Sequence, residues 1–166
     1  QQEWDDAEGY YRATPGEAIS IDIPKSDTNI QFRVMGVIGK GVFSTVLKCA
    51  TESNTSSIEL PPQIAIKFVR HNDTMARAAQ NEVRFLQMLK SCKGIIPLLF
   101  PTNNVPFEFR GHTLLAFPHV EYNLRDVLVK FGKNVGLSLT AVRSYFQQLL
   151  SAELHLQKHR IIHSDL

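Results

Sequence analysis

The stretch QIAIKFVR, residues 63–70, decides how the rest of the chain is read. It follows a loop-like run rich in Thr, Ser, Asn and Pro (residues 51–62) and is short and apolar, which predicts a compact β-strand. On a two-residue period Ile64, Ile66 and Phe68 face one way, while Ala65, Lys67 and Val69 face the other. Lys67 therefore interrupts an apolar strand face. A lysine on a buried face needs an anionic partner, because an unpaired buried charge is costly. The alternative is an edge-strand lysine that reaches water.

Moving toward the C-terminus, the period changes. Asn72 or Asp73 can cap a helix, and Ala79, Glu82, Val83, Leu86 and Leu89 then recur at steps of three and four. Glu82 stands on that stripe, where an apolar residue is expected. Two opposite charges, each on the wrong face of its own element, predict a Lys67–Glu82 pair.

Moving toward the N-terminus, FRVMGVIG (32–39) and FSTVLKCA (43–50) read as two strands punctuated by Gly39-Lys40-Gly41. Two glycines at this spacing fit a plain hairpin turn as well as a phosphate-binding one. A dinucleotide fold would need a helix after them, and a Walker-type loop would need Gly-Lys-Ser/Thr; neither is present. Without a Cβ, Gly39 and Gly41 would let the backbone come close to a phosphate.

The remaining segments complete an α+β pattern of strands first, one helix among them, then helices. Residues 1–29 lack sustained periodicity and read as an irregular leader with an aromatic patch at Trp4, Tyr10 and Tyr11. IIPLLF (95–100) and HTLLAF (112–117) read as two more strands, which makes five. Asn123 can cap a helix with Asp126 as its capping-box partner; Leu124, Val127, Leu128 and Phe131 form its apolar face and Gly132 can stop it. Leu139–Lys158 is the longest helix. Its apolar arc is wide, with Glu153 near the centre of the face formed by Val142, Phe146, Leu149 and Leu150.

Composition narrows the function classes. The chain has 166 residues, 43% hydrophobic and 20% charged, with a formal net charge of +2, so it is not disordered as a whole and carries no strong nucleic-acid signature. No apolar run approaches the roughly 20 residues of a membrane span, and no signal peptide is visible. There is no initiator Met, so an upstream N-terminus is an expectation. Cys49 and Cys92 lack metal spacing and read as free thiols of an intracellular protein. His155, His159 and His163 recur at four-residue steps, but no metalloprotease-type acid follows His155, so no metal ligand is assigned. The last residues, KHRIIHSDL (158–166), put Asp165 just past a short apolar pair and two positions after His163, an arrangement that suits a general base held on a loop.

In this order the segments IGKGVFSTV, IAIK, NEVRFL and IIHSDL resemble the glycine loop, strand lysine, helix glutamate and catalytic-loop opening of eukaryotic protein kinases. The resemblance runs from about Ile30 to the last residue. WDDAEGYYRATPGE, GKGVFS, NLRDVL, FGKNVGL and AVRSYFQQL extend it, within the CMGC group, to the kinases of the pre-mRNA processing factor 4 type, which act on the splicing machinery. It implies a kinase fold: residues 1–29 as leader, 30–120 as the N-lobe (a five-stranded antiparallel sheet with one helix) and hinge, and 121–166 as the start of a helical C-lobe truncated at the catalytic loop. It implies a serine/threonine kinase using ATP and Mg²⁺, with a protein substrate that could be spliceosomal, no direct nucleic-acid or membrane partner, and a nuclear location. Gly39 and Gly41 would cover the ATP phosphates, with Ile38 and Val46 above the adenine and Ala65 also in the nucleotide site. Lys67 would hold the α- and β-phosphates, oriented by Glu82. Phe117 would stand at the back of the adenine pocket, and the Val120 backbone, at the end of a hinge from Pro118, would bond adenine. Asp165 would orient the substrate hydroxyl. The ligands for Mg²⁺ would lie beyond Leu166, so the fragment alone is expected to be inactive.

Two positions depart from the wider family. Ser44 replaces the third glycine of the loop, as in the processing-factor subgroup. Ser164 replaces the Arg that contacts a phosphorylated activation loop, so that contact is not expected. Two alternatives remain: a pseudokinase or interaction module on a kinase-like fold, and a small α+β nucleotide-binding domain unrelated to kinases.

Overall fold

The computed structural model describes residues 3–23, 28–54, 59–102 and 106–164. In chain order these form β1 (Ala18–Ile23), β2 (Thr28–Lys40), β3 (Ser44–Asn54), β4 (Gln63–Val69), α1 (Asp73–Met88), β5 (Phe107–Phe109), β6 (His112–Pro118), α2 (Leu124–Gly132) and α3 (Leu139–Lys158). The chain divides into two compact units, Gln1–Gln87 with Pro97–His119, and Met88–Ile96 with Val120–Leu166.

The first unit is built on one antiparallel sheet in the order β1-β2-β3-β4-β6-β5. Its edge strands β1 and β5 approach each other, so the sheet is curled around its own interior. The alternation in β4 sends Ile64, Ile66 and Phe68 inward, where they meet Phe32, Leu47 and Leu114 with almost no exposure. Burying each such side chain is worth roughly 1.5–3 kcal/mol, which makes this interior the main source of stability in the unit.

The outer face of the same strands carries α1. Asn72 caps it: its side-chain oxygen accepts the Thr74 N–H at 2.8 Å and its carbonyl accepts the Ala76 N–H at 2.9 Å. Ala79 and Val83 are buried from the helix side against Val69 and Leu115, and Met75, Leu86, Leu98 and Phe117 pack around them.

The sequence expectation of five strands needs correction. Among the described residues the sheet has six, because part of the leader is a strand: Ala18–Ile23 pairs with β2 along its whole length. Ile19 and Ile21 alternate with Ser20 and Asp22, and both isoleucines are buried in the interior. The segment 95–100 is not a strand; only Phe100 bridges to Ala116. Pro97 lacks an N–H to give to a ladder, which keeps the segment from pairing continuously. Its place is taken by β5, three residues long, on β6. β3 also runs on to Asn54, beyond the expected start of the loop at residue 51, because Thr51–Asn54 still finds partners on β2 from Ile30 to Phe32.

In the second unit the helix signals are realised as bonds. The Asp126 N–H donates to the Asn123 side chain at 2.8 Å and the Asn123 N–H to the Asp126 carboxylate at 3.3 Å, a complete capping box at α2. The helix ends at Gly132, with the left-handed position taken by Lys133 (φ 50°). Ser138 caps α3 by accepting the Ala141 N–H at 3.2 Å. Ala152 and Leu156 are buried, while Leu139 is 86% and Phe146 58% exposed.

Candidate functional site

The strand and helix that hold Lys67 and Glu82 bring the two together. The Lys67 ammonium lies 2.7 and 2.8 Å from the two carboxylate oxygens of Glu82. Lys67 reaches this position because β4 sends it to the outer face, and Glu82 because it sits one residue before Val83 on the stripe of α1 that packs there. The pair is half-buried, with side chains 24% and 38% exposed. Its net contribution to stability is therefore small, about 1 kcal/mol or less. Its chemical consequence is larger, since it fixes a cation beside a small pocket of about 180 Å³ lined by Phe43, Lys67, Val69, Met75, Ala79 and Glu82, among others.

The strand register sets what surrounds that cation. Val46 on β3 and Leu115 on β6 stand directly opposite Lys67, and Lys48 and Phe117 directly opposite Ala65. Directly opposed residues share a face, so Val46, Ala65, Lys67 and Phe117 lie on one side of the sheet. Gly39 pairs with Val46, and a Cβ on Gly39 would rest on the Val46 side chain at 3.7 Å, on that same side. Ile38 is 47% exposed beside it.

The hairpin tip between β2 and β3 is Gly41-Val42-Phe43, closed by the Gly41 N–H to the Ser44 carbonyl at 2.9 Å. Neither Gly39 nor Gly41 has a positive φ, and a Cβ on Gly41 would meet nothing within 4 Å. Backbone conformation and internal packing thus leave both positions free to carry a side chain. What glycine supplies there is open space on the Lys67 side.

Val120 is 62% exposed and belongs to the second unit. Asp165 lies outside the described residues. Among the described residues no group of three His, Cys, Asp or Glu side chains could hold a metal ion, and no helix is long and apolar enough to cross a membrane. Both cysteines are free; Cys49 is buried, which pushes its thiol up to about 12.

Sequence reasoning missed the leader's part in this unit. Asp5 accepts from His112 at 2.7 Å and from His71 at 3.1 Å, and the Tyr10 hydroxyl donates to the Val42 carbonyl at the hairpin tip at 2.8 Å. The aromatic patch at Trp4, Tyr10 and Tyr11 was the available signal. Its partners, many tens of residues away, were not.

Residues 32–166 match the protein kinase domain family. The chain is 33% identical to the serine/threonine-protein kinase prp4 of Schizosaccharomyces pombe over its whole length, which is 32% of that protein. It is 31% identical to the serine/threonine-protein kinase prpf4B of Dictyostelium discoideum over 98% of the chain and 18% of that protein. It is 30% identical to the human dual specificity tyrosine-phosphorylation-regulated kinase 3, again over 98% of the chain and 25% of that protein. The chain thus spans less than a third of the length of these curated relatives.

Proposed function

This chain belongs to the protein kinase family, and on that premise we propose that it serves ATP-dependent phosphoryl transfer to serine and threonine hydroxyls of protein substrates. The observation that carries the reading is the Lys67–Glu82 pair on the sheet face shared with Val46, Ala65 and Phe117. In kinases a strand lysine paired with a helix glutamate holds the α- and β-phosphates of ATP. Lys67 takes that role, with Glu82 orienting it. Gly39 and Gly41 cover the phosphates from the hairpin, which accounts for glycine at two positions where no positive φ and no close contact requires it.

Apolar contact to the base falls to Ile38, Val46, Ala65 and Phe117. The main chain of Val120 as adenine partner and Asp165 as the acid that orients the attacking hydroxyl are assigned by sequence position. The residues present fit ATP in charge and in space: a fixed cation, an uncrowded hairpin and an apolar strand face. Mg²⁺ is the family's metal, and it neutralises phosphate charge when bound; none of the described residues is assigned to it. Residues 30–120 act as the nucleotide-holding lobe with its hinge, and 121–166 as the first part of the substrate lobe.

The relatives named as prp4-type kinases support a place in pre-mRNA splicing, with spliceosomal proteins as substrates and the nucleus as the site of action. The test is ATP affinity and phosphotransfer of the full chain as the cell makes it. Lys67→Met should abolish transfer while leaving the fold intact by circular dichroism. Full activity in that variant would overturn the assignment.

A further inference from the structure

We propose that Tyr10 is a positioning residue that holds the tip of the β2–β3 hairpin in place over the nucleotide phosphates, an inference that rests on the phosphate-covering role of the hairpin proposed above. The leader folds into a tight turn built on Asp6. Its Oδ1 accepts the Glu8 N–H at 3.0 Å and the Tyr10 N–H at 2.9 Å, and its backbone N–H donates to the Tyr10 carbonyl at 2.9 Å. Gly9 completes the turn at φ +82°, with its carbonyl accepting the His71 N–H at 2.9 Å. The turn is thereby tied to the segment that follows β4 directly.

From this base the turn reaches the hairpin at two points. The Tyr10 hydroxyl donates to the Val42 carbonyl at 2.8 Å, and Asp6 Oδ2 accepts from the Lys40 ammonium at 3.2 Å. The Tyr10 ring is itself held, with Lys40 4.4 Å and Arg70 5.0 Å from its centroid, and the residue is 7% exposed. Val42 and Phe43 are by contrast 68% and 60% exposed, and apart from the Arg70 N–H, which donates to the Phe43 carbonyl at 2.9 Å, the tip has little of its own to set the position of Val42. A glycine-flanked tip with so few contacts samples several conformations, and ordering it on a ligand costs entropy. A hydrogen bond from a buried, fixed ring removes part of that cost before the ligand arrives, which is how a group that never touches the nucleotide can strengthen its binding.

Tyr10→Phe removes the hydroxyl and keeps the ring, so the leader remains packed; Asp6→Asn keeps the turn's acceptor and removes the charge facing Lys40. Two measurements apply to each variant in the full chain as the cell makes it: amide hydrogen exchange, and steady-state kinetics with ATP and a peptide substrate varied separately. The expected result is faster exchange confined to Gly41–Ser44 and a KM for ATP raised about fivefold in Tyr10→Phe, the factor for one ordinary hydrogen bond. The peptide KM should hold. Unchanged exchange at the tip, a uniform rise across β4 and α1, or a faster-exchanging tip with an unaltered ATP KM would each overturn the positioning role. Failure of the unsubstituted protein to bind ATP would reject the phosphate-covering reading itself, and this role with it, whatever the exchange shows.

Discussion

Tyr11 of the leader stacks on Phe68 of β4, with ring centroids 4.4 Å apart and planes 17° from parallel. Phe68 points to the inside of the curled sheet, so the leader contributes a side chain to the core of the first unit. The Tyr11 hydroxyl donates to Glu17 at 2.5 Å and accepts from Arg110 at 2.8 Å, and Arg110 also stands over the Trp4 ring. Burial and the neighbouring Glu17 carboxylate push the phenol well above its ordinary range, so it stays protonated and keeps donating. Tyr11→Ala should therefore cost about 3 kcal/mol or more, as for other large aromatic truncations in cores. Tyr11→Phe should cost only about 1 kcal/mol. Denaturant midpoints of the two variants check this; equal, small losses would show that the leader is not part of the core.

A second prediction concerns acid. Asp5 lies between His112 and His71, and His112 is fully buried with its other ring nitrogen 2.9 Å from the Val69 carbonyl. Burial by itself raises the Asp5 carboxyl, but hydrogen bonds and charge from the two imidazoles outweigh it and hold the group below its ordinary value of 3.8. A carboxyl depressed in the folded state adds stability above its unfolded pKa and loses that contribution as the pH falls through the folded one. The first unit should thus weaken from about pH 4 downward, and Asp5→Asn should flatten that limb while lowering stability at neutral pH. Unfolding free energy against pH for both proteins provides the check. Parallel curves would mean that Asp5 is not a source of the acid sensitivity.

How far these features could be read in advance depended on distance along the chain. Lys67 and Glu82 were legible because each broke the period of its own element, and the two elements are adjacent in sequence. The bounds of α3 were legible from its apolar residues, which recur at helical spacing from Leu139 onward. β1 was hidden by its surroundings: Pro15, Gly16 and Pro24 made the whole leader look irregular, although Ile19 and Ile21 alternate as a strand should. β5 is too short, at three residues, to establish any period. The Asp5–His112 contact joins residues 107 apart, and no local pattern in either neighbourhood announces it.

A third prediction tests close packing in the second unit. Gly94 adopts φ +84°, and a Cβ there would stand 2.9 Å from the Gln148 carbonyl oxygen and 3.2 Å from the Ala152 side chain on α3. The backbone oxygen cannot yield without moving the helix, and an L-residue is strained at that φ in any case. Gly94→Ala should destabilise the unit by about 1–3 kcal/mol. Thermal unfolding of the variant gives the answer. Gly136→Ala, where a Cβ would meet nothing within 4 Å, is the matched control expected to change little.

Glu153 supplies the last. It sits on α3 with one carboxylate oxygen, Oε1, buried and without a hydrogen-bond partner among the described residues. Beside it lies a groove of about 720 Å³ in which Leu150, Leu154, Ile161 and Ile162 are joined by the polar Gln157, Arg160, His163 and Ser164. A buried acceptor left unsatisfied costs about 1–3 kcal/mol. Glu and Leu have nearly equal helix propensity, so exchanging them does not alter α3 intrinsically. Glu153→Leu should therefore stabilise the second unit by about 1 kcal/mol or more, through loss of the desolvation penalty and gain of apolar contact. Glu153→Gln should gain less, because the amide oxygen remains without a partner in the same place. Denaturant midpoints at constant slope, with α3 amide exchange as a local readout, separate the two. A loss of stability in the leucine variant, with faster exchange along α3, would mean that Glu153 holds a bond in solution and that its position on the apolar face is structural.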